Sequence, residues 1–80
     1  MKIETLTGNL APEDLCESIR AVTSMIDRQV AANAGGVHLS TVNNLLTRKT
    51  PITESNRDAF VTLVRIARKR VQSLNDIREI

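Results

Sequence analysis

Aromatic side chains are almost missing from this chain: Phe60 is the single one, and the 80 residues include no Trp or Tyr. Modules that bind single-stranded nucleic acid or RNA generally stack bases on aromatic platforms, so the absence weighs against both. It also makes the core aliphatic. Cysteine is limited to Cys16, which excludes an intrachain disulfide, and with His38 as the sole histidine the common zinc spacings are absent. Lying at helical spacing in an apolar run, Cys16 reads as a small buried hydrophobe. No apolar run approaches membrane-spanning length and the N-terminus has no hydrophobic signal region, so a cytoplasmic, reducing setting is the default expectation. Catalytic chemistry finds no footing either. There is no Gly-rich phosphate loop with its lysine, no Ser-His-Asp set, and no pair of carboxylates in an apolar context. The chain reads as a non-enzyme with no cofactor and no metal site.

What is present is unevenly distributed. Eighty residues suit one domain, near the lower size for burying a core without staples. The net charge is only +2, yet residues 1–27 carry −3 and residues 28–80 carry +5. A polyanionic partner accounts for that segregation, as does a solvated basic face.

The basic part opens with residues 28–48, RQVAANAGGVHLSTVNNLLTR. Asp27 reads as an N-cap, and Val30, Ala31 and Ala34 as the apolar face of a short helix over 27–34. Gly35 and Gly36 stop it, since glycine reaches the left-handed conformation without steric cost. A second helix is expected over 38–48, with Leu39, Val42, Leu45 and Leu46 on one side. Ser40, Thr41, Asn44, Thr47 and Arg48 occupy the other, with Asn43 on the flank. Asn and Ser are poor helix formers, so their place on an outer face asks for a reason beyond solubility. Hydrogen bonding to base edges or phosphates is one.

In Ala32, Gly36 four residues later, Val42 six after that and Leu45 three further on, this stretch resembles the helix-turn-helix of the phage-repressor/Cro-like family of transcriptional regulators. A register one residue earlier, on Val30-Ala31 and Ala34-Gly35, fits the first half of the pattern better, which leaves two solutions for the turn. The resemblance implies a regulator of double-stranded DNA, more often a repressor, acting as a homodimer on paired half-sites through the major groove. On this reading Ser40, Asn43, Asn44 and Thr47 are expected at base edges. Arg28, Gln29, His38, Arg48 and Lys49 are expected at phosphates. Leu39 belongs either to the core or to a thymine methyl.

Around this motif the pattern predicts an all-α chain, a small four- to five-helix bundle with a long last helix. Residues 1–10 read as an N-terminal arm, extended or a short edge strand. A helix over 12–26 follows, with Pro12 in its first turn and the stripe Leu15, Ile19, Val22, Ile26. Pro51 breaks the chain after Arg48-Lys49. Thr53 or Ser55 caps a final helix over 54–74, striped by Phe60, Val64, Ala67, Val71 and Leu74. That seam outruns a small bundle, so Val64, Ala67, Val71 and Leu74 are expected at a dimer interface. The competing function is a protein-interaction module, such as the partner-neutralising half of a toxin–antitoxin pair, working through this last helix.

Overall fold

A computed structural model describes residues 7–78, the side chains of 76–78 excepted. Four α-helices and no strand occur among them: α1 (Glu13–Val22), α2 (Met25–Gly35), α3 (Leu39–Leu46) and α4 (Arg57–Arg78). No helix among the described residues is long and apolar enough to cross a membrane. The first six residues of the expected arm, and the side chains of Ile77 and Ile80, lie outside the described residues.

α1 starts after Pro12, whose extended ψ places it just outside the helix, and Glu13 and Asp14 fill the first turn, where the helix dipole favours acid. It stops at Val22, four residues short of the expected end. The backbone turns extended at Thr23 (φ −108, ψ 144), whose N–H and hydroxyl make the last bonds to the Ile19 carbonyl, at 3.0 and 2.7 Å. Ser24 then opens α2. Its hydroxyl accepts from the Asp27 N–H at 3.1 Å, while the Asp27 carboxylate accepts from the Ser24 N–H at 3.0 Å. This is a capping box, so Asp27 stands inside the first turn and Ser24 holds the cap position assigned to Asp27 from the sequence. Ile26, placed in the first helix by the stripe, falls in α2 and is 76% exposed.

The buried side of α2 also differs from expectation. Ala31 and Ala32 are buried, whereas Val30 and Ala34 face outward. The reason is α4, which runs antiparallel to α2 and forms with it the most extensive interface of the molecule. Gly35, at the end of α2, meets Ala59 near the start of α4. A Cβ on Gly35 would lie 2.5 Å from both the Cβ and the backbone nitrogen of Ala59. At the other end, Arg70 of α4 grips the Asp27 carboxylate with two donors, at 2.7 and 3.3 Å. This arginine and the Ser24 cap hold the Asp27 carboxyl well below its ordinary value, at about 2.

Gly36 takes the left-handed turn (φ 67), with its N–H to the Asn33 carbonyl at 3.2 Å and the Val37 N–H to the Ala32 carbonyl at 3.0 Å. That pair of bonds is a Schellman stop, and it assigns the turn to Gly36 rather than Gly35. The core gathers Cys16 and Ile19 of α1, Ala31 and Ala32 of α2, Val42, Leu45 and Leu46 of α3, and Phe60 and Leu63 of α4. Ile52 closes it from the loop between α3 and α4. Burial pushes the Cys16 thiol up, which suits an inert core residue.

That loop is fastened on both sides. The Gly8 N–H donates to the Ile52 carbonyl at 2.6 Å and the Ile52 N–H to the Asn9 carbonyl at 2.9 Å, so this part of the expected arm pairs with its own chain. Asn56, buried, accepts from the Thr53 N–H at 2.7 Å and donates to the Pro51 carbonyl at 3.2 Å. The last helix accordingly begins at Arg57, after Thr53 and Ser55, and it reaches Arg78 rather than 74. Of the four residues expected at a dimer seam, Val64 and Ala67 are only 4% and 7% exposed and belong to the chain's own core. They are thereby withdrawn from that role. Val71 and Leu74 remain exposed.

Candidate functional site

α3 is packed on one side and open on the other. From behind it is fixed by Val42, Leu45 and Leu46, all buried, with Leu39 half-buried on the same side. Its C-terminal end is held by α1: Arg20 donates to the Leu46 carbonyl, and the Cys16 thiol approaches the Leu45 carbonyl at 3.6 Å. A guanidinium at a helix C-terminus satisfies an orphan carbonyl and complements the negative end of the dipole. The helix is thus presented as a fixed rod, and its outer side is free.

The residues on that outer side are not equivalent. Ser40 is exposed, and Thr41 and Asn44 are half-exposed, and none of the three side chains hydrogen-bonds within the described chain. Thr47 is exposed, but its hydroxyl donates back to the Asn43 carbonyl at 2.9 Å. Asn43 is half-buried with its side-chain oxygen out of reach of solvent and without a partner. Of the four residues expected at base edges, Ser40 and Asn44 present unengaged groups, Thr47 offers only its oxygen, and Asn43 turns inward. Thr41 joins the outer set.

The expected phosphate ligands divide in the same way. His38, at the entrance to α3, and Lys49, just past its exit, are exposed, and their side chains make no hydrogen bond or ion pair among the described residues. Gln29 is exposed and bonded to Asn33 at 2.9 Å, one turn along α2. Arg28 is half-buried, with its Nε 3.5 Å from the Thr23 hydroxyl. Arg48 carries a structural duty: it adopts the left-handed conformation (φ 59) that ends α3, and its Nε donates to the Ala11 carbonyl at 2.9 Å. A left-handed non-glycine residue costs roughly 1–2 kcal/mol, which the bonds from the Arg48 and Lys49 N–H groups to the Leu45 and Asn44 carbonyls offset.

The electrostatic setting is uniform. Between Arg28 and Thr53 the chain contains no acidic residue, so no carboxylate of this segment opposes an anion at the α3 face. Among the described residues no group of His, Cys, Asp or Glu is arranged to hold a metal. The engaged arginines, Arg20 and Arg70, were invisible as partners in the sequence because their acceptors lie 26 and 43 residues away. No family model, no curated protein and no solved structure matches the chain.

Proposed function

We propose that the protein binds double-stranded DNA by laying α3 in the major groove, as a transcriptional regulator acting by repression. The observation that carries this reading is the outer side of α3. It is a firmly anchored helix whose outer side chains (Ser40, exposed, and Thr41 and Asn44, half-exposed) are short, polar, unengaged among the described residues and on a segment without acid. A major groove about 12 Å wide admits such a helix, and an Asn amide matches the donor and acceptor on an adenine edge. The exposed cations or near-cations at the two ends of α3, His38 and Lys49, support a role at phosphates. Such contacts set register without reading sequence.

Selection of bound duplexes from a random DNA pool, at a stated near-physiological salt, tests the reading. Enrichment of a defined sequence supports it, and recovery of a random pool rejects it. On an enriched site, Asn44→Ala is expected to cost about 1–3 kcal/mol, with no effect on unrelated duplexes. Lys49→Ala should instead weaken all duplexes alike and lower the salt slope by roughly one. Arg48→Ala is a poor probe of the same point, because it also removes the bond to Ala11.

A further inference from the structure

Between α1 and α4 the packing is incomplete. Protein interiors are close-packed, with few voids larger than a water molecule, yet a groove of about 390 Å³ stays open here beside the core. Ile19, Val64 and Ala67, all buried, make its floor. Leu15 and Val22 of α1, half-buried, and Val71 of α4, exposed, make its walls. From Leu15 to Val22 the trough is roughly 10 Å long, at about 1.5 Å per helical residue. No aromatic side chain lines it among the described residues. A planar ring therefore finds no stacking partner there, whereas an aliphatic chain meets aliphatic walls.

The polar part of the lining is confined to the mouth. Ser18 on the α1 bank and Arg68 and Gln72 on the α4 bank are all exposed. Arg68 is the charged residue of the lining, and no carboxylate faces it there. Its guanidinium makes no hydrogen bond or ion pair among the described residues. Arg70, two residues on, is by contrast committed to Asp27. An apolar trough with one uncompensated guanidinium at its edge is complementary to an aliphatic tail that ends in one negative charge. The forked donors of a guanidinium match the two oxygens of a carboxylate. The volume also falls in the range of roughly 300–1,000 Å³ typical of small-molecule sites, which are apolar with a few placed polar groups.

From these features we infer that the groove between α1 and α4 binds a free aliphatic monocarboxylate, its tail along Ile19, Val64 and Ala67 and its carboxylate on Arg68. Burial of the tail drives binding, since apolar surface leaves water on both sides of the contact. Arg68 fixes which end of the molecule stays at the mouth. Because the walls come from two helices, the site exists only in the folded chain, and the ligand stabilises that chain by mass action. No residue of the groove belongs to the outer side of α3, and the test contains no DNA, so either idea can fail alone.

Titration of the full, isotope-labelled chain with octanoate, below its micelle-forming concentration, decides the matter by nuclear magnetic resonance. Extended octanoate is about as long as the groove. Saturable shifts should appear at Leu15, Val22 and Val71, with one octanoate per chain, and the melting temperature should climb with octanoate. 1-Octanol, the same tail without the charge, should bind about tenfold more weakly. Arg68→Gln should weaken octanoate about tenfold and leave octanol unchanged. Val71→Glu sets a carboxylate in the groove one turn from Arg68 and should weaken octanoate at least as much. Position 71 is 44% exposed, so the helical circular dichroism of this variant should persist. Absence of saturable binding to the wild type overturns the inference. So does equal affinity for octanol together with indifference to Arg68→Gln, which would make the groove a site for neutral apolar molecules. Shifts at the same residues on raising protein concentration alone, with octanoate adding nothing, overturn it in favour of a second copy.

Discussion

Two adjacent glycines show how different physical demands produce the same residue. Gly36 is required by its backbone: at φ 67 an alanine is strained by roughly 1–2 kcal/mol, while asparagine visits this region with less penalty. Nothing lies within 4 Å of the space a Gly36 side chain would fill. Gly35 is helical, and its constraint is room, because the obstacle to a Cβ is the backbone of Ala59. Gly36→Asn should therefore be nearly silent in urea unfolding. Gly35→Ala should cost about 1–3 kcal/mol even though alanine is the better helix former. If Gly35→Ala proved stabilising, the close approach of α2 and α4 would be refuted. Sequence alone gave both glycines one role, since spacing identifies a helix stop but not what packs on its last residue.

At the scale of elements, the join between α2 and α4 rests on an ion pair whose protonation can be followed. The Asp27 carboxyl is held at about 2 by Arg70 and the Ser24 cap, against an ordinary 3.8. A carboxylate depressed on folding adds stability above its unfolded value, and that contribution disappears as pH falls from 3.8 to 2. The wild type should lose midpoint denaturant concentration across that window. Asp27→Asn should start lower at neutral pH and show a flatter profile, and an unchanged profile would exclude Asp27 as the titrating group. The Ser24-x-x-Asp27 signature of this joint was present in the sequence. It is concealed there because Leu15, Ile19, Val22 and Ile26 keep helical spacing straight through the boundary. The face of α2 was misread for a related reason. Ala31, Ala32 and a paired aspartate are buried there, so the larger Val30 gave the wrong direction. α3 and the body of α4 were legible because their buried sides are built from Leu, Val, Ile and Phe at regular spacing. Their outward sides were legible as composition, but which outer groups are free depended on back-bonding by Thr47 and Arg48.

The molecule as a whole is thinly insured. A chain of this length is expected to have only about 4–12 kcal/mol of stability. Phe60, fully buried among aliphatic side chains from all four helices and Ile52, is its largest core residue. Phe60→Ala should cost about 3–5 kcal/mol and leave a large unfolded fraction near 37 °C, read by circular dichroism.

The contact between Gly35 and Ala59 also bears on descent. Because the crowding atoms at position 59 include backbone, no replacement of Ala59 can make room for a side chain at 35. A lineage that keeps α2 against α4 at this distance has no second-site remedy, and only a wider separation of the two helices would release the constraint. Position 36 is under no such lock and can drift between glycine and asparagine. Among descendants of this chain, Gly35 should accordingly stay fixed while its neighbour varies, although Gly36 is the one that marks the turn.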